Sequence, residues 1–229
     1  MNISLSGKVA GLIAGAIALV LVSGPAHAAS DLETCFATDT PVEALDRIGA
    51  CSRALDGGLS GEDLAKARFF RGVAYGQMAQ TDLAIVDFTE ALKFDGQNVD
   101  LWLARSQAHF QKRQHDLAML DLAEAIKLKP DNAVAQDMMG KNHFMLGNFE
   151  LAIKFFDKAI DLDSNFYNAY INRATTYYRE NKLDMAMKDV NAAYLMLPPG
   201  DTRGRALLQL KAAIEQSFVS QQRARQTTN

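Results

Sequence analysis

The sequence has little cysteine and no surplus of positive charge. Only 2 of its 229 residues are cysteine, and 24 lysines and arginines stand against 27 aspartates and glutamates, which gives a net charge of −3. A chain that binds nucleic acid needs a basic surplus to neutralise phosphates, so we expect no nucleic-acid partner. Apolar residues make up 48% of the chain, which is the composition of a globular protein.

Catalytic signatures are also missing. The sequence contains no G-x-S-x-G, H-E-x-x-H, G-x-x-x-x-G-K-[ST] or G-x-G-x-x-G motif. His109 and His143 lie 34 residues apart, but no carboxylate or cysteine recurs with them to complete a metal site. We interpret both as packing residues that each reach one hydrogen-bond partner. The sequence therefore predicts no enzymatic activity, no cofactor and no metal.

Residues 1–28 have the pattern of a secretory signal peptide. Lys8 precedes an apolar run from Val9 to Val22, and residues 26–28, Ala-His-Ala, fit a cleavage site. The run is shorter than the roughly 20 residues that span a bilayer, so an uncleaved anchor is the less favoured alternative. We predict a periplasmic protein that is cleaved near Ala28 and has no membrane span in its mature form.

Cys35 and Cys51 both follow the predicted cleavage site. In an oxidising compartment such a pair is expected to form a disulfide. On the chain-entropy model, closing this loop would stabilise the fold by roughly 3 kcal/mol. A redox or metal role is the alternative, but the pair lacks C-x-x-C spacing and no histidine lies between its members.

The chain is similar to itself at a shift of 34 residues, over four consecutive windows, 65–98, 99–132, 133–166 and 167–200. Alanine recurs at positions 20 and 27 of each window, and a large apolar residue recurs at position 24. A period of this length is typical of a helical repeat array. The recurring residues are Ala84, Ala118, Ala152 and Ala186 at position 20, Ala91, Ala125, Ala159 and Ala193 at position 27, and Phe88, Leu122, Phe156 and Val190 at position 24.

This spacing resembles the signature of the tetratricopeptide repeat (TPR) family. The resemblance implies an all-α TPR solenoid, which is a right-handed superhelix of helical hairpins with one hairpin in each window. Further matching residues are Trp102 and Tyr170 at position 4, Gly72, Ser106, Gly140 and Ala174 at position 8, Tyr75 and Tyr177 at position 11, and Pro130 and Pro198 at position 32.

Position 7 departs from the family signature, because arginine replaces the usual leucine in three windows. Each of these arginines occurs with an aspartate at position 23, whereas Met139 at position 7 occurs with Phe155. We interpret the pattern as ion pairs within a hairpin or across a repeat junction, with ligand binding as the alternative. The charged pairs are Arg71 with Asp87, Arg105 with Asp121 and Arg173 with Asp189.

The ends of such an array must be covered. We predict an N-terminal half-repeat cap over residues 29–64, with a helix from Pro41 to Leu55 and an extended segment stapled to it by the disulfide. A capping box of Ser60 and Asp63 should open the next helix, and Asn98 and Asn132 should be N-caps. A C-terminal solvating helix is predicted over residues 201–220, followed by a disordered tail over residues 221–229.

The TPR resemblance also implies that positions 2, 5, 9, 12 and 13 line a concave groove. These positions vary between windows while the packing positions repeat, and position 12 is aromatic in three windows. The groove therefore suits an apolar or amphipathic segment of a protein or peptide partner. The alternative is that Phe110 and Phe144 only fill space between neighbouring helices. The predicted peptide-binding residues are Phe69, Val73, Leu103, Gln107, Phe110, Lys141, Phe144 and Tyr178.

A periplasmic scaffold or adaptor is the function that these patterns favour. Two alternatives are a self-assembling structural protein of the envelope and a recruiter of substrates to an envelope enzyme. The sequence names neither the partner nor the oligomeric state.

Overall fold

The structure is a computed structural model that describes residues 25–38, 42–198 and 200–227. These residues form eleven α-helices and no strand, which confirms the all-α prediction. The helices are α1 Pro25–Phe36, α2 Ala44–Asp56, α3 Gly61–Gln77, α4 Thr81–Leu92, α5 Val99–Gln111, α6 His115–Leu128, α7 Ala133–Met145, α8 Phe149–Leu162, α9 Tyr167–Arg179, α10 Leu183–Met196 and α11 Arg203–Thr227.

Helices α3 to α10 form four hairpins, α3–α4, α5–α6, α7–α8 and α9–α10. Each helix packs mainly on its hairpin partner and on the next helix along the chain, so the hairpins stack into one solenoid. The alanines at positions 20 and 27 of every window are fully buried where the helices cross. Because alanine has no side chain beyond Cβ, the helix backbones can approach closely there.

Glycine at position 8 makes room for phenylalanine at position 24. A Cβ atom added to Gly72 would lie 2.6 Å from Cε1 of Phe88, and one added to Gly140 would lie 2.5 Å from Cε1 of Phe156. The other two hairpins combine a larger residue at position 8 with a smaller one at position 24, namely Ser106 with Leu122 and Ala174 with Val190. The side chains at positions 8 and 24 are therefore complementary in size in every hairpin.

The turn inside every hairpin contains a residue in the left-handed conformation at position 15. In each case the amide of the next residue donates to a carbonyl of the first helix, as from Gln114 to His109 at 2.9 Å. This is a Schellman-type end, which favours glycine or asparagine at the left-handed residue. The four residues are Ala79 (φ 57°), Arg113 (φ 59°), Gly147 (φ 78°) and Asn181 (φ 60°).

The predicted helix starts are partly confirmed. The side chain of Asn98 accepts from the amide of Asp100, and that of Asn132 accepts from the amide of Ala135, so both are N-caps. The capping-box prediction at Ser60 is wrong, because its side chain makes no capping hydrogen bond. Gly61 has φ +57°, so this left-handed residue interrupts the cap geometry that a capping box requires.

The arginines at position 7 bind the aspartates at position 23 of the same hairpin. Arg105 donates from Nε and Nη2 to the two carboxylate oxygens of Asp121 at 2.9 and 2.7 Å. The side chains of Arg105 and Asp121 are only 18% and 6% exposed. Arg71 binds Asp87 in the same way, as Arg173 binds Asp189. The prediction of a structural ion pair is confirmed, and the pair lies within the hairpin.

Each of these arginines also reaches back to the preceding second helix or cap helix. Nη1 of Arg71 donates to Oγ of Ser52 at 3.0 Å, and Nη1 of Arg105 donates to Oγ1 of Thr89 at 3.2 Å. Nη1 of Arg173 donates to the carboxylate of Asp157. Each guanidinium therefore joins three helices. For Arg173, burial lowers the pKa, but the hydrogen bonds to Asp189 and Asp157 outweigh this effect and raise the pKa.

The N-terminal cap differs from the prediction of an extended segment, because residues 25–36 form helix α1. Proline at a first helical position and the alanines that follow favour a helix. The predicted disulfide is present and joins Cys35 of α1 to Cys51 of α2. Arg53 adds an ion pair to Asp31 at 2.7 Å. Helix α2 begins at Ala44, whereas Pro41, the predicted start, lies outside the described residues.

The C-terminal cap is longer than predicted. Helix α11 runs to Thr227, although the sequence predicts a disordered tail from residue 221. Its residues Leu207 and Ile214 are buried in the core of the last hairpin, and Gln221 donates to Asn181 at 2.8 Å. This contact and the high helix propensity of glutamine, arginine and alanine extend the helix.

Residues 1–24, which hold most of the predicted signal peptide, lie outside the described residues. Helix α1 runs through the predicted cleavage position after Ala28. Export to the periplasm therefore stays a prediction. Across the three described ranges, no helix combines the length and apolarity that a membrane span requires.

Candidate functional site

The first helices of the four hairpins, α3, α5, α7 and α9, pack side by side, and we call the surface that they share the inner surface. Two contacts show how closely they meet. Nδ2 of Asn172 on α9 donates to Oδ1 of Asp137 on α7 at 2.7 Å. Nζ of Lys141 on α7 lies 5.5 Å from the ring centre of Phe110 on α5. The inner surface is therefore continuous from one hairpin to the next.

The predicted peptide-binding residues all lie on these four helices. None is fully buried and none is fully exposed, so each has one side in the core and part of its surface open. Their distribution is two on α3, three on α5, two on α7 and one on α9. In chain order they are Phe69, Val73, Leu103, Gln107, Phe110, Lys141, Phe144 and Tyr178.

The aromatic residues at position 12 also contact their own hairpin or the cap. The ring of Phe110 meets that of His115 edge to face at 5.4 Å, and the ring of Phe144 lies 5.6 Å from that of Phe149. The hydroxyl of Tyr178 lies 3.5 Å from Oγ of Ser217 on α11. These contacts orient the rings, which remain only half-buried.

The first hairpin has a glycine at position 12, where the other three hairpins have an aromatic residue. Gly76 occupies this position on α3, and a Cβ atom built there would meet no atom within 4 Å. The inner surface is therefore open beside α3, at the end of the array that α1 and α2 cover.

A small cavity lies between α3 and the start of α5. Its volume is about 270 Å³, and its apolar lining is bordered by charged and amide side chains. Phe69 is the only one of its lining residues that belongs to the predicted peptide-binding residues. The cavity is lined by Glu62, Ala65, Lys66, Phe69, Phe70, Asp95, Asn98 and Leu101.

Asp137 is a polar residue of the inner surface that sequence reasoning did not select. It is only 4% exposed, whereas position 5 is apolar in the other three windows. Burial raises the pKa of the Asp137 carboxyl, against the opposing effects of the Asn172 hydrogen bond and the Lys141 charge. The sequence does contain a signal for this residue, because Asp137 is the single charged residue at a position that is apolar in the other three windows.

The neighbouring buried polar groups are incompletely paired. Gln136 is fully buried, and neither its amide oxygen nor its amide nitrogen has a hydrogen-bond partner. In the second and fourth hairpins an aromatic residue at this position donates to a carbonyl of the preceding loop, as Trp102 does to Gly96 at 2.9 Å. Unpaired buried groups cost stability, so Gln136 stabilises α7 less than a hydrogen-bonded residue would.

The two histidines of position 11 behave differently. Nδ1 of His109 lies 2.8 Å from Oε1 of Gln114, which confirms the predicted hydrogen bond. The same prediction is wrong for His143, whose ring stacks on Phe155 and whose Nδ1 is buried without a partner. Burial lowers the pKa of His143. Within the described ranges, no group of three His, Cys, Asp or Glu side chains could hold a metal ion.

Comparisons with known proteins agree with this architecture. Two family models described as tetratricopeptide repeat match residues 65–133 and 134–166. No curated protein matches the sequence. Solved structures are similar in fold at low sequence identity.

A tetratricopeptide repeat protein from Parabacteroides merdae has a TM-score of 0.71 at 14% identity, covering 87% of this chain and 76% of its own. MamA has a TM-score of 0.63 at 19% identity, covering 74% of this chain and 91% of its own. YrrB, described as a TPR protein with an unusual peptide-binding site, has a TM-score of 0.58 at 20% identity, covering 76% and 84%.

Proposed function

Because this chain is a tetratricopeptide-repeat protein, we propose that it is an interaction scaffold that binds a protein or peptide segment on its inner surface. The observation that carries the proposal is the contrast between two sets of positions. The alanines at positions 20 and 27 repeat in every hairpin, whereas positions 5 and 9 of the inner surface hold a different residue in every hairpin. Packing alone does not require that variation.

The side chains of the inner surface suit an apolar or amphipathic segment. Phe110, Phe144 and Tyr178 offer aromatic area, and Gln107 and Lys141 offer polar groups beside it. Half-buried aromatic residues lose little conformational entropy on binding, which makes them effective anchors. The peptide-binding site named for YrrB, a protein of similar fold, supports the same use of this architecture. The role of scaffold rather than enzyme rests on the missing catalytic motifs.

We place this scaffold in the periplasm of a Gram-negative bacterium. The support is the signal-peptide pattern of residues 1–28 together with a buried disulfide, because a structural disulfide is stable in an oxidising compartment.

Photo-crosslinking would test the proposal directly. A photoreactive amino acid at position 144 should capture a partner in the producing cell, whereas the same group at position 194 should not. Tyr194 is the matched control, because it is a half-exposed aromatic residue on α10, the second helix of the last hairpin. Equal capture from both positions would contradict binding at the inner surface.

The Phe144→Ala variant would then separate binding from packing. We expect affinity for the captured partner to fall by about 2 kcal/mol, with helicity unchanged. If this variant instead lowers the melting temperature like a core truncation and leaves the affinity of the folded protein intact, the aromatic row is part of the core and the proposal fails.

A further inference from the structure

Four aliphatic side chains lie exposed on the outer faces of α4 and α6. Leu83 and Val86 project from α4, Leu117 and Leu120 project from α6, and their exposures range from 45% for Leu117 to 65% for Leu120. The two pairs occupy the same repeat positions, 19 and 22, in adjacent hairpins. We call these four residues the outer apolar face.

The fold does not require apolar residues at both positions. Position 22 is Lys154 in α8 and Lys188 in α10, and both lysines are compatible with the same hairpin geometry. The first two hairpins therefore carry exposed leucine and valine where the last two carry lysine. Exposed apolar residues that recur at matching positions of neighbouring hairpins are a candidate interaction surface.

Acidic residues border the outer apolar face. Asp82 and Glu90 flank the pair on α4, and Asp116 and Glu124 flank the pair on α6. Asp82 contacts Lys112, Glu90 contacts Lys93 and Glu124 contacts Lys127, but these are largely exposed pairs at the helix margins. Exposed pairs contribute little, so a basic side chain of a partner could replace these lysines at little cost.

The acidic border indicates what could cover this face. The four carboxylates outnumber the three lysines paired with them, so a helix that carries apolar residues between basic ones suits this face better than an anionic membrane surface. The chain itself contains such a helix. Helix α11 has four arginines and one lysine against a single glutamate.

The outward face of α11 carries exposed apolar residues between basic ones, so its charge is opposite to that of the acidic residues that border the outer apolar face. Leu208 and Val219 are exposed on α11, and Arg205 and Arg223 lie exposed at either end of them. Their spacings, with Ala212 between them, place these residues on one side of the helix. The opposite side is used by the core contacts of Leu207 and Ile214.

We propose that α11 of one copy docks across α4 and α6 of a second copy. Leu208 and Val219 would contact the outer apolar face, and Arg205 and Arg223 would contact its acidic border. Within one chain α11 packs on α9 and α10, so this contact forms between copies. The two surfaces differ, which makes the contact heterologous and the assembly head-to-tail.

Sedimentation of the purified chain tests this proposal. The average mass should rise with protein concentration and fall as NaCl is raised, because the contact includes exposed charges. Leu120→Lys introduces the residue that α8 and α10 already carry at this position, so the hairpin should fold normally. We expect this variant to weaken association at least about tenfold.

Lys154→Gln on α8 is the matched control and should assemble like the unmodified chain. A chain that stays monomeric at every concentration, or a Leu120→Lys variant that assembles normally, overturns the proposal. The proposal is also overturned if Lys154→Gln weakens assembly as much as Leu120→Lys does. Phe144→Ala should not affect assembly, so this test is independent of binding at the inner surface.

A charge reversal identifies the two surfaces. One variant carries Asp116→Lys and Glu124→Lys, the other carries Arg205→Glu and Arg223→Glu, and neither should assemble alone. Mixing them pairs each reversed surface with its complement and should restore association. Failure of the mixture to associate, while circular dichroism shows both variants folded, rules out pairing between these surfaces.

Discussion

The second hairpin, α5–α6, and the third, α7–α8, reach the same fold with different interiors. In the second, Arg105 binds Asp121, lies 5.0 Å above the Trp102 ring and reaches Thr89 of the preceding hairpin. In the third, the corresponding residues are Met139, Phe155 and Gln136, and the position equivalent to Thr89 is Ala123 of the preceding hairpin, so all four are uncharged. The hairpin therefore requires a matched set of residues and not a charge as such. A buried charge without its partner is costly, whereas an apolar replacement of the whole pair can be neutral.

The largest expected effect comes from breaking the pair in the second hairpin. Asp121→Ala leaves the Arg105 guanidinium largely desolvated and should lower the free energy of unfolding by about 3 kcal/mol. The double variant Arg105→Met with Asp121→Phe copies the third hairpin and should lose clearly less. Urea denaturation of both single variants and the double variant measures this. Additive losses would mean that the two residues are not coupled.

Overpacking the third hairpin should have the next largest effect. Gly140→Ala places a Cβ atom 2.5 Å from the Phe156 ring, and should cost about 1 to 3 kcal/mol of stability. Adding Phe156→Leu recreates the combination of small and medium residues found in the second hairpin and should recover most of that loss. No recovery in thermal denaturation would show that ring contact is not the cause.

The turns of these hairpins should respond in opposite directions. Arg113 in the second hairpin has φ 59°, and the corresponding Gly147 in the third has φ 78°. Arg113→Gly should stabilise the protein by about 1 kcal/mol, and Gly147→Ala should destabilise it by a similar amount. Equal signs in the two denaturation midpoints would contradict this account of the turn.

The smallest effect concerns the histidines at position 11. Burial lowers the pKa of His143 in the folded protein, so the unfolded chain binds more protons as the pH falls through the ordinary histidine range near 6.5. Stability should therefore decrease from about pH 7 to about pH 5. His143→Phe should reduce this decrease, as measured by denaturation midpoints across that range. An unchanged pH dependence in His143→Phe would contradict the assignment.

The fold was predictable because its signals are local and repeated. The alanines at positions 20 and 27 fix where helices cross, and the covariation of Arg105 with Asp121 and of Met139 with Phe155 predicts the interior pairs. The disulfide followed from two cysteines in a chain expected to reach an oxidising compartment. Each of these inferences compares positions within one sequence and needs no distances.

The rest depends on neighbours that sequence spacing does not reveal. Asp137 is buried because α9 and Asn172 cover it, and Gln136 is unpaired because no donor or acceptor of the adjoining helices reaches it. The cavity beside Phe69 forms from residues of two hairpins. The helical form of residues 25–36 rests on contacts with α2 and α3, and it replaced the extended segment that the sequence predicts.

The arginine bridges also decide how the array can come apart. An arginine bridge joins the cap to the first hairpin, the first hairpin to the second, and the third hairpin to the fourth. In each bridge the guanidinium is also bound by the aspartate at position 23 of its own hairpin. Only apolar contacts occupy the equivalent place between the second and third hairpins, where Met139 faces the cluster of Leu122 and Ala125. In a nearest-neighbour description of the solenoid, three junctions therefore depend on a charged side chain and one does not. Opening the middle junction would break apolar contacts at this place, whereas opening any of the other three would also break an arginine bridge.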